Sequence, residues 1–514
     1  MTVLPSLPAR LTPDACVRAL AARDPRFDGL FFVGITSTHI YCRPICPARV
    51  SHTEHRRFFP SPASAEQAGF RPCLRCRPEL APGRAPVDAI SRLGTAAAQR
   101  IEGGALNDRT VTDLAAELGV SARHLRRALE REYGVSPSEL AQTCRLLLAK
   151  RLLADTSLPV TRIAFASGFQ SLRRFNAAFR EQYRMSPSAL RRRQGRNGSL
   201  EDGLQLTLSY RPPLDWAGLL TRLARSALPG VESIDESRYA RTVRLDGHAG
   251  LISVMNADGH LNVDIESSLV AALMPLLPRL RRLFDLDADP LLIDDHLART
   301  GLAELVQKRP GVRLPGVLEP FDAVLSVLGR TERSPQPLRQ IVEVLGDPIV
   351  SGDARLTRLA PTAERLTEAG VGPLAEAGME LRAATVLVTV ARMMLGGELR
   401  LDAGGETDAT CAALQAVGVP EVSAHEIAMR TLCWPDAFRP NAGVTLEAAE
   451  AWRPWRGYAA ALLELHVMRP AVEEPALSTA KGRGSRVERN ALDSRPSTSR
   501  PVVAATARSK RPLQ

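Results

Sequence analysis

Four of the eight cysteines stand in two close pairs: Cys42 with Cys46, three residues between them, and Cys73 with Cys76, two between them. In a reducing compartment, pairs at this spacing are metal ligands before they are disulfides. Each pair puts two sulfurs on one turn, and two facing turns close a tetrahedral four-thiolate zinc site. Bound zinc holds a cysteine as its thiolate at neutral pH, and a thiolate is a nucleophile. On spacing alone the cluster reads as a structural zinc knot, since most four-cysteine zinc sites are structural. Cys16, Cys144, Cys411 and Cys433 are scattered; the last three read as buried structural thiols.

The elements that position these residues divide along the chain. A length of 514 residues, 45% hydrophobic and 24% charged, suits three or four globular domains. Net charge changes sign along it: +15 over residues 1–200, −9 over 201–470 and +5 from Ala471 onward. The basic first part reads as a polyanion binder, the acidic part does not. No run of eighteen apolar residues occurs, and Met1 to Ala15 has no signal-peptide core. The expectation is a cytoplasmic, nucleoid-associated protein without a membrane partner.

Five regions are expected: 1–82 with the cysteines, 88–193, 203–290, 291–470 and a disordered basic tail, 471–514. Residues 1–80 show few helical signals. Val111–Leu118, Gly119-Val120-Ser121 and Ala122–Tyr133 read as a helix-turn-helix, the glycine ending one helix and Ser121 capping the next. Val160–Ala166, a turn with Gly168, and Leu172–Tyr183 repeat it, and helix-forming residues from Ser138 to Ala154 join the two. Residues 203–270 read as strands, Leu204, Leu206, Leu208 and Tyr210 alternating, with hairpin turns at Asp246-Gly247 and Asp258-Gly259. Helices follow from about Leu273 to Val467. The fold class is therefore multidomain α+β: a small zinc domain, an all-α tandem helix-turn-helix domain, a small α/β domain and a second helical domain.

Longer strings carry resemblances. Cys42-Arg43-Pro44-Ile45-Cys46-Pro47-Ala48-Arg49, followed by Gly69-Phe70-Arg71-Pro72-Cys73-Leu74-Arg75-Cys76, resembles the N-terminal domain of Ada, the adaptive-response family; Arg23-Asp24-Pro25 and Asp28-Gly29 fit it too. The resemblance implies that Cys42, Cys46, Cys73 and Cys76 hold Zn²⁺ and that Cys42 accepts a methyl group from a DNA methyl phosphotriester, once per molecule. Methylation would take the four-thiolate zinc centre from a formal −2 to −1 and tighten binding to DNA phosphates. Arg43, Arg49, Arg71 and Arg75 are candidate phosphate contacts, or else a solvated basic face.

Ile163-Ala164, Gly168-Phe169 and Ser186-Pro187 resemble the AraC-type DNA-binding domain, whose two units enter successive major grooves. On the recognition helices lie Arg123, His124, Arg126 and Arg127, then Ser171, Arg173, Arg174 and Asn176; some would face bases, others phosphates. Leu125, Leu129, Phe175 and Phe179 read as core. Promoter binding implies double-stranded DNA as partner, with RNA polymerase beside it.

Tyr210-Arg211-Pro212-Pro213-Leu214-Asp215-Trp216, Arg309-Pro310-Gly311-Val312-Arg313-Leu314-Pro315-Gly316 and Trp452-Arg453-Pro454-Trp455-Arg456 resemble the AlkA-type DNA-3-methyladenine glycosylases over about 203–468. That implies an α/β domain joined to a helix-hairpin-helix domain, and a reaction that flips an alkylated base out and excises it with one aspartate. The pattern breaks at several points. Val417-Gly418-Val419-Pro420-Glu421-Val422 replaces the family's Pro-Gly-hydrophobic-Gly hairpin: Pro420 lacks an N–H and Glu421 sets a negative charge beside a phosphate. Asn441 or Ala442 stands where the catalytic aspartate is expected, Glu464 where a Trp is usual, and Arg330-Thr331 where Gln-Gln is usual. The expectation is a decayed glycosylase fold with little or no base excision; the opposing reading is a true glycosylase with Asp436 as a substitute acid. No Pro-Cys-His-Arg string occurs, so repair of O-6-methylguanine is not expected. Three readings stay open: a methyl-sensing regulator, the same regulator with a working glycosylase, and a zinc-containing DNA-binding protein without methyl transfer.

Overall fold

The structure is a computed structural model that describes residues 11–48, 53–82, 92–194, 204–330, 336–402, 405–437 and 449–467. Arg49, Asn441, Ala442 and the tail 471–514 lie outside the described residues. Residues 1–468 form one compact unit.

The cysteine region is built on a four-stranded sheet of order β3-β1-β2-β4, with β1 Phe32–Ile35, β2 Ile40–Cys42, β3 Arg56–Phe59 and β4 Arg71–Pro72. Strand β1 pairs antiparallel with β2 and β3, and β2 runs parallel to β4. The helices Pro13–Ala22 and Pro62–Gln67, unforeseen in the sequence, flank the sheet. Each begins with proline at its first position behind a capping side chain, Thr12 and Ser61, so short local signals suffice to start them. At the tight packing point Gly34, a Cβ would lie within 3.0 Å of the Phe59 and Phe70 rings.

The tandem helical region matches its expected caps. Helices Val111–Glu117 and Ala122–Tyr133 are joined through Gly119 at φ +71, and the Ser121 Oγ accepts from the His124 N–H at 3.2 Å. Helix Val160–Ala166 and helix Leu172–Tyr183 repeat the arrangement through Gly168 at φ +83. Between them runs the longest described helix, Pro137–Asp155. It is buried on nearly every side, because it packs on both helix-turn-helix units and on the cysteine region.

The next region is a five-stranded antiparallel sheet of order β5-β9-β8-β7-β6: β5 Leu204–Ser209, β6 Glu232–Ile234, β7 Arg238–Leu245, β8 His248–Ala257 and β9 His260–Ile265. Leu245 pairs with His248 across Asp246-Gly247, both at positive φ, the geometry of a two-residue type I′ hairpin. The stretch expected to be all strand also holds helix Trp216–Ser226. Asp215 caps it, and Leu219, Leu220 and Leu223 bury one helical face. Leu204, Leu206 and Leu208 are buried as expected, in a core shared with Phe175, Phe179 and Leu283. Helices then follow to Val467 and enclose a second core.

Candidate metal centre and DNA-facing surfaces

The four sulfurs converge because two chain turns meet at the end of the β2–β4 ladder. Cys42 is the last residue of β2, and its turn is closed by the Cys46 N–H donating to the Arg43 carbonyl at 3.1 Å. Cys73 follows β4, and its N–H donates to the Tyr41 carbonyl at 3.0 Å. The Sγ atoms of Cys42, Cys46, Cys73 and Cys76 all lie within 4.8 Å of one another. A tetrahedral Zn²⁺ with its usual bond lengths sets sulfurs about 3.8 Å apart, so the donor set and spacing fit Zn²⁺.

The sulfurs differ in surroundings. The Arg43 N–H donates to Cys76 Sγ at 3.4 Å and the Arg75 N–H to Cys73 Sγ at 3.3 Å. A backbone hydrogen bond at Ala48 steadies Cys46. Among the described residues no backbone N–H donates to Cys42 Sγ, and all four sulfurs are buried. Without a cation, hydrogen bonding with Cys46, Cys73 and Cys76, together with burial, pushes the Cys42 thiol far up. Hydrogen bonding with Cys42 brings Cys46 down to about 7. Sulfurs this close share protons unless a cation neutralises them.

Arg43 corrects the sequence reading. It is not on the surface: its Nε donates to Asp28 Oδ1 at 2.9 Å, its Nη2 also meets Asp28 Oδ2, and its Nη1 donates to the Cys76 carbonyl at 3.1 Å. Both partners of this ion pair are buried. Arg43 braces the cysteine turn against the loop after helix Pro13–Ala22 and has no face for a DNA phosphate. Arg75 is exposed and Arg71 half-buried.

A contact set invisible in the sequence ties the centre to the helix Pro137–Asp155. Lys150 Nζ donates to the Cys73 carbonyl at 3.3 Å and pairs with Glu79, with both side chains 2% exposed. Arg77 forms a double hydrogen bond with Asp155, at 2.5 and 2.7 Å. Glu66 accepts from the Tyr41 hydroxyl at 2.9 Å and from the Thr143 hydroxyl at 2.8 Å. Burial raises the Glu66 carboxyl to about 7, against the pull of those hydroxyls.

On the recognition helices the expected division holds. Arg123, His124, Arg126 and Arg127 are exposed while Leu125 and Leu129 are buried; Arg173 and Arg174 are exposed while Phe175 and Phe179 are buried. Ser171 and Asn176 are partly spent on their own helix: Ser171 Oγ accepts from the Arg174 N–H at 3.5 Å, and Asn176 donates to the Leu172 carbonyl at 2.9 Å.

In the acidic half, helices Thr407–Ala416 and Glu421–Leu432 flank the hairpin 417–420. The Gly418 N–H donates to the Gln415 carbonyl at 2.9 Å and the Val419 N–H to the Leu414 carbonyl at 3.1 Å. Those amides are turned back into the first helix, and Pro420 has none to offer. Asp436 is buried and held by two guanidiniums, from Arg453 Nη1 at 2.6 Å and from Arg456 Nε at 2.8 Å and Nη2 at 3.0 Å. A carboxylate so paired has its lone pairs occupied. Burial raises the remaining thiols, Cys16 and Cys433 to about 11 and Cys144 and Cys411 above their usual range, which disfavours their thiolates. No helix among the described residues is long and apolar enough to cross a membrane.

Family models match three stretches: the metal binding domain of Ada at residues 15–79, a helix-turn-helix domain at 114–193 and the AlkA N-terminal domain at 205–319. A probable bifunctional transcriptional activator/DNA repair enzyme AlkA of Mycobacterium tuberculosis is 35% identical over 472 residues, covering 87% of this chain and 95% of that protein. DNA-3-methyladenine glycosylase 2 of Escherichia coli is 29% identical over 272 residues, 49% of this chain and 94% of its own length. The bifunctional transcriptional activator/DNA repair enzyme Ada of Escherichia coli is 33% identical over 153 residues, 30% of this chain and 42% of its own length.

Proposed function

We propose that this chain, which belongs to the family of bifunctional transcriptional activator/DNA repair enzymes that join Ada-like and AlkA-like parts, takes methyl groups from DNA methyl phosphotriesters onto Cys42 and records the event as a change in DNA binding. The observation that carries this reading is the cluster of four sulfurs within 4.8 Å in which, among the described residues, Cys42 alone receives no backbone N–H. A bound Zn²⁺ keeps the sulfurs as thiolates at neutral pH. The Cys42 sulfur attacks the methyl carbon in line. Its lone pair forms the S–C bond, the C–O bond breaks, and the phosphodiester leaves with that electron pair as an anion. No proton moves, and the thioether product does not revert, so each molecule acts once.

The loss of one negative charge at the centre weakens its repulsion of neighbouring phosphates. Exposed Arg75 and half-buried Arg71 are the described candidates for backbone contact. Arg123, His124, Arg126, Arg127, Arg173 and Arg174 supply the two groove-facing surfaces. The AlkA-like part holds the fold but does not excise bases: its hairpin amides turn inward and Asp436 is locked between Arg453 and Arg456.

The test is transfer of radiolabelled methyl from methylated duplex DNA to the zinc-loaded full chain. One equivalent should appear on the protein and map to the Cys42 peptide, and Cys42→Ser should abolish it. Transfer that survives Cys42→Ser, or labels another cysteine, overturns the assignment.

A further inference from the structure

A cleft of about 370 Å³ lies between helix Trp216–Ser226, helix Glu421–Leu432 and helix Arg456–Val467. Its described wall contains no Phe, Tyr or Trp and is instead dominated by four arginines, Arg222, Arg225, Arg330 and Arg430. The only carboxylates on that wall are Glu426 and Glu464. Among the described wall residues two positive charges are therefore in surplus around a half-enclosed space.

Two of the arginines, Arg222 and Arg330, each carry one buried nitrogen without a hydrogen bond. The Arg222 side chain is 9% exposed, and its Nη1 is fully buried without a hydrogen bond, 3.7 Å from Glu464 Oε2. Arg330 donates from Nη2 to the Ala227 carbonyl at 2.6 Å, yet its Nε is buried and unbonded. Arg430 donates to Ser326 Oγ at 2.8 Å. Glu464 is held at the rim by Arg225. Burial, and then the nearby Arg225 charge, lowers Arg222 to about 10; burial, and then Arg430, lowers Arg330. Buried guanidiniums that repel one another are stabilised by a ligand of opposite charge.

We propose that this cleft is a binding site for a small phosphate-bearing anion of up to nucleotide size, held by Arg222 and Arg330 with Arg225 at the rim. A phosphate monoester brings up to two negative charges, which match the surplus, and three acceptor oxygens for forked guanidinium donors. Glu464 competes for the same arginines, so the site is tuned by a resident carboxylate that the ligand must displace from Arg225.

Isothermal titration calorimetry of the zinc-loaded full chain tests this, with inorganic phosphate, adenosine 5′-monophosphate, adenosine and a short unmethylated duplex as probes. Phosphate and the nucleotide should bind competitively at one site with a Kd of about 1 mM or tighter, and adenosine should not bind. Arg330→Gln should weaken binding about tenfold by removing a charged fork. Glu464→Gln should tighten it several-fold, a gain that a merely damaged fold does not produce. No phosphate binding at millimolar concentration overturns the proposal. So does binding that neither variant alters, which would place it on the basic helices. Equal binding of adenosine would show a base pocket instead, and exclusive competition by the duplex a seat for the DNA backbone. Methyl transfer to Cys42 is read in a separate assay and is untouched by any of these outcomes.

Discussion

Replacing Arg43 by methionine should damage the metal centre, not DNA contact. The guanidinium makes its hydrogen bonds to Asp28 and to the Cys76 carbonyl in the interior. Removing one partner of a buried, hydrogen-bonded pair costs about 3–5 kcal/mol, because the other charge stays buried. At about 1.4 kcal/mol per decade, even the lower figure is a factor of roughly a hundred. The cost falls on the turn that presents Cys76, so competition with a chromophoric chelator should show zinc held about a hundredfold or more weaker. Adding Asp28→Asn removes the stranded charge and should recover much of the loss, with a coupling of about 2 kcal/mol in the double-mutant cycle. Arg75→Met is the contrast: zinc affinity unchanged, and the log–log salt dependence of DNA binding shallower by about one unit. If Arg43→Met holds zinc within about threefold of the parent and flattens the salt dependence instead, the bracing role is wrong and Arg43 is a phosphate contact.

Other perturbations follow from the same geometry. Asp436→Asn leaves Arg453 and Arg456 with Glu450 as their described carboxylate partner and should lower the melting temperature, while 3-methyladenine release from alkylated duplex stays at the spontaneous rate in both proteins; release that depends on Asp436 would refute the reading of that half. Glu66 has a folded carboxyl raised to about 7 from a usual 4.5, so the folded state binds the extra proton between those values. Its destabilising effect is absent below about pH 4.5 and complete above about pH 7, at most about 3 kcal/mol before screening by water, at 1.36 kcal/mol per unit. Glu66→Gln should therefore gain stability at pH 8 relative to pH 5, measured by denaturant unfolding at the two pH values; an equal shift at both would exclude titration of Glu66. Arg126→Ala and Arg173→Ala should each weaken promoter binding in footprinting and leave methyl transfer to Cys42 intact.

Much of the candidate site was legible because its signals are local. Two short cysteine spacings define the four ligands, and Gly119, Ser121, Gly168 and Ser171 punctuate the paired helices where their φ angles and caps require it. Asp246-Gly247 likewise announces its hairpin. What escaped is the pairing of residues far apart in sequence. Arg43 and Arg75 each stand beside a ligand cysteine, and nothing local distinguishes the arginine that folds inward onto Asp28 from the exposed one. Helix Trp216–Ser226 hid in a strand-rich stretch because its buried face needs only three leucines. The cleft arginines come from three segments a hundred or more residues apart. One faint clue was available: of the 67 basic residues only four are lysines, Lys150 among them. Its compact ammonium occupies a buried niche beside Glu79 and the Cys73 carbonyl.

The bolts between the cysteine region and helix Pro137–Asp155 make these two pieces one inheritable block. Cutting the chain after Pro82 would bare Lys150, Thr143 and Asp155 at once, each losing a partner that lies upstream. Recombination that exchanged the cysteine region alone would leave mismatched sockets on the helix that joins the two helix-turn-helix units. Chimaeras that retarget this chain to new promoters should therefore graft only the exposed residues of Ala122–Tyr133 and Leu172–Tyr183, and carry the joining helix and the cysteine region together as a matched pair.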